Sequence, residues 1–210
     1  MKKIFSEQRI SEYIEICVDV VLLNLLWLLF CIPIVTIGAS TTAMYRVCFK
    51  ALRGEGKIFQ EFWTSFKQNL KQATIIWLIV VLVFFVLYCD VRIVDYLQVS
   101  WASAAKVVFG ALAILLLCVM QYVFPLLSQF HNTVPQIFRN AALMSVGHAP
   151  KTFLMAAIWA LPVMAILFLP GWFFAYGLHI VLFAGALVAH IKARILWKVF
   201  SKYMDEPTQF

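Results

Sequence analysis

Long runs of apolar residues constrain this chain more than any other feature of its sequence. Residues 16–37, 73–89, 107–127 and 152–169 hold at most one charged side chain each, and a fifth run covers residues 178–191. A helix needs about 20 apolar residues to cross the hydrocarbon core of a bilayer. The fifth run reaches that length if Lys192 and Arg194 extend their charged ends to the membrane surface. The runs therefore predict an all-α membrane protein, a polytopic helical bundle.

The overall composition agrees with a membrane location. Hydrophobic residues make up 64% of the chain and charged residues 13%, whereas soluble domains average about half and a quarter. The net charge is +7, but the basic residues flank apolar runs instead of gathering in a polar segment with aromatics that stack on bases. We therefore expect the lipid bilayer as a partner and no nucleic acid.

Residues 39–53 decide whether the chain crosses the membrane five or six times. If they do not cross, the basic residues between Arg46 and Lys71 lie on the opposite side from the basic residues near the N-terminus. If they cross after a turn at Pro33 and Gly38, both basic clusters and both termini face the cytoplasm. The excess of Lys and Arg on the cytoplasmic side of membrane proteins favours six crossings.

The residues around this turn fit a tight hairpin. Pro33 cannot continue a regular helix, and Gly38 permits unusual backbone angles. Ser40 or Thr41 can cap the helix that follows. We expect Pro33 and Gly38 to form the hairpin turn.

We predict a single membrane domain over residues 1–210, with amphipathic helices on the cytoplasmic surface. Its parts are a first hairpin (14–53), a cytoplasmic surface helix (58–71), a second hairpin (73–127), a cytoplasmic connection (128–151), a third hairpin (152–198) and a cytoplasmic tail (199–210). The connection holds a second amphipathic segment at residues 134–146, and an aromatic outer loop covers residues 170–177. Such aromatics are typical of a membrane interface.

The surface helix has one aromatic face. Phe59, Phe62, Trp63 and Phe66 share that face, while polar side chains take the rest of the helix. We expect this face to contact lipid or a partner protein.

Three polar residues of the first hairpin form a candidate intramembrane site: Asp19, Asn24 and Arg46. A charged side chain inside a membrane span is costly and indicates a function by default. The two helices also carry complementary stripes, with Glu12, Glu15 and Asp19 on one and Arg46, Lys50 and Arg53 on the other. Ion pairs between the stripes could instead lock the hairpin. Both the structural and the functional interpretation stay open.

Motifs for catalysis and cofactors are absent from the sequence. HExxH, GxSxG, the P-loop and GxGxxG do not occur, the five cysteines form no CxxC, and no two histidines have the spacing of a metal site. We expect no catalytic residues, no cofactor and no metal, and a protein that is not an enzyme.

One stretch of the chain resembles a known family. Residues 24–45 read NLLWLLFCIPIVTIGASTTAMY, and Phe62-Trp63, FKQN at 66–69 and KQA at 71–73 follow. This pattern resembles the YesL-like family of uncharacterised bacterial membrane proteins. The resemblance implies a setting in bacterial carbohydrate uptake, especially beside binding-protein-dependent sugar transporters.

The resemblance and the residues together lead to two functional hypotheses. The first is a non-enzymatic protein of the cell membrane, accessory or regulatory to carbohydrate uptake, with a sugar-transporter subunit as candidate partner. The alternative is a small transporter or permease in its own right, with its polar site in the first hairpin.

Overall fold

The computed structural model contains only helices and turns in the part of the chain that it describes. It describes the backbone of residues 2–97, 99–168 and 170–204, and the side chains of residues 17–97, 99–160, 164 and 184–201. The α-helices are α1 (Lys2–Cys31), α2 (Ile37–Ala51), α3 (Ile58–Leu97), α4 (Ala102–Gln129), α5 (Val134–Gly147), α6 (Ala149–Phe168) and α7 (Pro170–Met204). The predicted all-α class is confirmed for these residues.

The turn of the first hairpin is shorter than expected. α1 ends at Cys31, because the residue before Pro33 is disfavoured in a helical conformation, and a 3₁₀ turn over Ile34–Thr36 leads into α2. The Thr36 hydroxyl donates to the carbonyl oxygens of Phe30 at 2.7 Å and Pro33 at 2.8 Å. Pro33 is therefore part of the turn, as predicted.

The expectation that Gly38 belongs to the turn is wrong. Gly38 is a buried residue in the first turn of α2, and a Cβ atom there would lie 2.6 Å from the carbonyl oxygen of Ala73. Glycine is required because two helix backbones approach closely, not because the chain bends. Ser40 and Thr41 do not cap α2 either. The Ser40 hydroxyl donates to the Trp27 carbonyl at 2.9 Å, and Thr41 accepts from the Trp27 indole at 3.2 Å, so both join α2 to α1.

The predicted surface helix at 58–71 and the span beginning at residue 73 are one continuous helix, α3. The prediction of two separate elements is wrong, since the sequence of α3 contains no glycine or proline that would end the first part. Its 40 residues extend for about 60 Å. Gly54 and Gly56, both at positive φ, form the turn from α2 to α3.

The second half of the chain follows the predicted order with one difference. α5 begins at the capping box of Thr133 and Gln136 and forms the amphipathic helix expected in the connection. Residues 170–177, predicted to be an outer loop, form the start of α7 instead. Proline is well suited to a first helical position, which explains a start at Pro170. The aromatic side chains of this segment lie outside the described residues.

The core of the protein surrounds α2. Ten of its fifteen residues are buried, and α1, α3, α4 and α7 all pack against it. Near the C-terminal end of α2, the Phe49 ring lies 6.1 Å from the Trp197 ring and 5.7 Å from the Phe200 ring of α7. We call this part of the protein, around α2, the helical body.

Two helices leave the helical body and expose their apolar side chains. Among the described residues, α3 and α4 are long and apolar enough to cross a membrane, yet only 11% and 17% of their most apolar stretches are buried. An apolar helix in the core of a soluble protein would be mostly buried. The α3–α4 hairpin therefore indicates association with a membrane.

Candidate functional site in the first hairpin

Asn24 lies at the contact between α1 and α7. Its side chain is fully buried, and its Oδ1 accepts a hydrogen bond from the backbone N–H of Ala186 at 2.8 Å. A Cβ atom on Gly185 would lie 2.5 Å from that same oxygen. The amide of Asn24 and the glycine of α7 thus form one close helix contact.

Arg46 lies on the other side of α2, towards α4. Its Nη1 donates to the carbonyl oxygen of Ser128 at 3.0 Å, near the end of α4. The arginine also lines a small polar cavity of about 20 Å³, together with Gln68, Asn69 and His131. A cavity of that size holds about one water molecule and is too small for a sugar.

The structure places the three residues of the predicted polar site against different surroundings. Asp19 is exposed on α1, and no ion pair joins it to Arg46 among the residues that the structure describes. Arg46, on the central helix α2, faces α4, whereas Asn24, on α1, faces α7. Whether these residues have a function beyond packing stays a prediction.

The basic stripe of α2 also has partners other than those expected. The Lys50 ammonium pairs with the Glu61 carboxylate of α3 at 2.6 Å. Arg53 donates to the Gln129 side chain at 3.4 Å, and its guanidinium lies 4.7 Å from the centre of the Trp197 ring. The pairing of this stripe with Asp19 was wrong, because the basic face of α2 turns towards α3, α4 and α7. The side chains of Glu12 and Glu15 lie outside the described residues.

The aromatic face of α3 is only half open. Phe62 and Phe66 are buried, and their rings lie 5.6 and 4.8 Å from the ring of Phe30 in the first hairpin. Phe59 and Trp63 are exposed, and the Lys67 ammonium lies 4.5 Å from the centre of the Trp63 ring. The expectation of one continuous contact face is therefore wrong for Phe62 and Phe66, since α1 covers them.

Lys192 is a polar residue whose position the sequence did not indicate. The sequence predicts that Lys192 extends towards the membrane surface, but the side chain of this α7 residue is buried. The ammonium lies 5.6 Å from the centre of the Trp159 ring of α6, so it contributes to the contact between the last two helices. Arg194, two residues later, is exposed as expected.

A further polar contact joins α4 to α6. The hydroxyl groups of Tyr122 and Thr152 are 2.8 Å apart in a buried position, and Thr152 also donates to the carbonyl oxygen of Ser145 at 2.9 Å. Within the described part of the chain, no group of three or more His, Cys, Asp or Glu residues is placed to hold a metal ion. Asn24, Arg46 and Tyr122 each make a hydrogen bond to a neighbouring helix.

Over the residues that the structure describes, the fold is all-helical, with a helical body and an exposed apolar hairpin suited to a membrane. Comparison with known proteins then indicates its relatives. Residues 20–91, which cover part of α1, all of α2 and most of α3, match the family described as "Protein of unknown function, DUF624". The chain is similar in sequence to the YesL-like family, as residues 24–73 predict.

Two relatives from Bacillus subtilis (strain 168) resemble the chain over most of its length. The "Uncharacterized protein YesL" is 27% identical over 189 residues, which cover 88% of this chain and 85% of the relative. The "Uncharacterized protein YteU" is 24% identical over 186 residues, covering 85% of this chain and 79% of the relative. No solved structure matches the chain.

Proposed function

We propose that this YesL-like protein is a non-enzymatic membrane protein that acts as an accessory or regulatory component of bacterial carbohydrate uptake. The exposed apolar α3–α4 hairpin supports its location in the membrane. The family resemblance in residues 24–73 is the basis for the carbohydrate setting.

The length of the α3–α4 hairpin supports a crossing of the bilayer. Near the helical body the rings of Trp77 and Phe124 lie 6.4 Å apart, and at the far end Asp95 pairs with Lys106. From Trp77 to Asp95, and from Lys106 to Phe124, each helix advances 18 residues. That is about 27 Å of helix, close to the thickness of the hydrocarbon core, about 30 Å.

The sides of the hairpin are open for lateral contact. Its exposed apolar side chains include Leu78, Leu82, Phe85, Leu112 and Leu115. An apolar surface of this extent needs lipid or another membrane protein to cover it. A subunit of a sugar transporter, itself made of membrane helices, would fit such a surface without any binding pocket.

The distribution of charge supports an orientation. Exposed or half-exposed basic residues gather at the α2–α3 end, among them Lys50, Arg53 and Lys67, whereas Arg92 and Lys106 lie near the far end. Basic residues are enriched on the cytoplasmic side. In the proposed topology the helical body and both termini therefore face the cytoplasm.

Cross-linking in the native membrane tests the proposed partner. A photoreactive amino acid replaces Phe85, which is exposed on α3, and in a matched control it replaces Ile76, which is fully buried on the same helix. We expect Phe85 to yield a cross-link to a sugar-transporter subunit and Ile76 to yield none. Cross-links from Phe85 to lipid alone, with no transporter subunit recovered, would contradict the proposal.

The alternative of a small permease stays a prediction. It requires Asp19, Asn24 and Arg46 to line one site, whereas these side chains face different neighbours. Purified protein reconstituted in liposomes provides the test. Movement of a sugar, a sugar acid or an ion would support a permease over an accessory protein.

A further inference from the structure

The depth of the first hairpin relative to α3 limits how far it can reach. Before the turn, the Phe30 ring lies 4.8 Å from the Phe66 ring. After the turn, Gly38 lies against the backbone of Ala73 and the side chain of Trp77. The turn therefore lies beside residues 66–77 of α3. α3 continues for 20 residues beyond Trp77, to Leu97, which is about 30 Å of helix.

The same stretch of α3 marks the boundary between water and hydrocarbon. Before residue 73, its exposed side chains include Gln60, Lys67, Gln68 and Lys71. After residue 73, the first charged residue is Asp90. Charged side chains are strongly disfavoured in hydrocarbon, so the hydrocarbon region begins near residue 73. The turn of the first hairpin lies at this inner boundary and not at the outer one.

α2 lies beside the part of α3 that water surrounds. It runs antiparallel to α3, from Gly38 next to Ala73 to Lys50 paired with Glu61. Its 15 residues amount to about 22 Å of helix, less than the hydrocarbon thickness of about 30 Å. Both its length and its position are therefore unsuited to a crossing.

The tip of the hairpin is nevertheless apolar and open. Ile32 and Ile34 are 73% and 71% exposed, and Val35 is also exposed. The tip continues an exposed apolar stripe along α1 that includes Leu25 and Leu29. The tip lies at the same depth as the inner end of the apolar α3–α4 surface, so residues 32–35 face the same lipid layer as that surface.

Several backbone groups of the turn have internal hydrogen bonds, which lowers the cost of placing the turn in lipid. Lipid cannot satisfy free N–H and C=O groups. The Thr36 hydroxyl binds the carbonyl oxygens of Phe30 and Pro33, and the Thr36 N–H donates to the Pro33 carbonyl at 2.9 Å. The N–H of Ile37 donates to the carbonyl oxygen of Ile34.

We infer that the first hairpin is re-entrant: residues 32–35 insert into the acyl chains of the cytoplasmic leaflet, and the chain returns to the cytoplasm without crossing. The crossings are then α3, α4, α6 and α7. α6 starts at the boundary depth, because Thr152 near its start binds Tyr122 of α4. Its 20 residues are about 30 Å long, enough to cross.

A re-entrant hairpin also resolves the conflict between the basic clusters. If neither α1 nor α2 crosses, the basic residues near the N-terminus and those from Arg46 to Lys71 share the cytoplasmic side. The chain then crosses four times, and crossings by α1 and α2 are not needed to bring the two clusters to the same side. This inference rests on the membrane location in the proposed function and is independent of the carbohydrate partner.

Cysteine labelling provides the test. The five native cysteines are replaced by serine or alanine, and single cysteines are introduced by Ile34→Cys at the tip, Ser100→Cys between α3 and α4, and Lys57→Cys between α2 and α3. A membrane-impermeant maleimide is applied to intact cells and to opened membranes. We expect labelling of position 100 in intact cells, labelling of position 57 only in opened membranes, and little labelling of position 34 in either.

A depth measurement gives position 34 a positive signal. A small thiol-reactive fluorophore is attached to the purified Ile34→Cys variant under denaturing conditions and the protein is returned to vesicles. Lipids that carry a spin label on the acyl chain should quench most of the fluorescence at position 34. The same fluorophore at position 57 should not be quenched.

Each remaining outcome of these experiments contradicts a specific statement. Labelling of position 34 in intact cells would restore six crossings and overturn the re-entrant hairpin. Labelling of position 34 only in opened membranes, without quenching by the lipids, would place the tip in water and also overturn it. Failure to label position 100 from outside would instead contradict the crossing by α3 and α4, and with it the membrane topology in the proposed function.

Discussion

Replacing Gly38 by alanine tests the close packing between the first hairpin and α3. The added Cβ would lie 2.6 Å from the Ala73 carbonyl oxygen and 3.0 Å from atoms of both Trp77 and Phe124. The closest of these atoms belongs to a helix backbone, which cannot rotate away as a flexible side chain can. Two helices therefore have to separate, and the core around α2 loses contacts.

Two opposing effects determine the size of the change. Alanine favours a helix over glycine by about 1 kcal/mol, while forcing an extra carbon into a packed core costs about 1–3 kcal/mol. The backbone contact puts the cost near the upper end of that range, so we expect a net loss of about 1–2 kcal/mol in the free energy of unfolding. For a chain of this size the loss corresponds to a Tm lower by about 3–6 °C.

Gly110→Ala is the matched control. Gly110 also lies within a helix, α4, but nothing is within 4 Å of an added Cβ. Only the preference of a helix for alanine over glycine applies, so the Tm of Gly110→Ala should stay the same or rise by about 2–4 °C. Thermal unfolding of both purified variants in the same detergent, followed by tryptophan fluorescence, measures the difference. A Gly38→Ala variant as stable as Gly110→Ala would refute the close helix contact.

Three further predictions concern the packing of the helical body. Phe62→Ala removes a ring that is 1% exposed and should lower the free energy of unfolding by about 3–5 kcal/mol. Phe59 is 58% exposed, so Phe59→Ala should change the free energy of unfolding by less than about 0.5 kcal/mol. Denaturant titration in detergent measures both changes. A double-mutant cycle on Lys50 and Glu61, whose side chains are 25% and 24% exposed, should give a coupling free energy of about 0.5–1 kcal/mol. Tyr122→Phe should cost about 1 kcal/mol by removing its hydrogen bond to α6.

Each of these predictions has its own contrary result. Equal losses for Phe62→Ala and Phe59→Ala would mean that the first hairpin does not cover α3. If exchanging the charges of Lys50 and Glu61 in one variant recovers none of the stability lost in the single variants, the two side chains are not paired. An unchanged Tm for Tyr122→Phe would show that the hydroxyl contact contributes nothing measurable.

Features that depend on neighbouring residues along the chain were predicted well. The break after Cys31 follows from Pro33, because proline acts through its own ring and the residue beside it. The amphipathic helix α5 follows from the spacing of its apolar residues. The YesL-like resemblance follows from a pattern of residues and was confirmed by the relatives.

Features that depend on which helices meet were predicted poorly. The periodicity of α3 identified an aromatic face, but it could not indicate that Phe30 covers Phe62 and Phe66. Charge spacing on α2 identified a basic stripe, but spacing along one helix does not fix which neighbour that stripe faces. Lys50 pairs with Glu61 of α3, and no ion pair joins it to Asp19 among the residues that the structure describes.

The sequence by itself determined the all-α class of the described residues, the apolar segments and the resemblance to the YesL-like family, because hydrophobicity, helix-breaking residues and residue patterns act locally. Only the tertiary structure decided that α2 is the central helix, that Gly38 lies at a helix contact, and that the turn reaches only residues 66–77 of α3. An apolar run of sufficient length shows that a helix could cross a membrane. Its actual depth depends on the neighbour against which it packs, and that contact joins residues far apart in the chain.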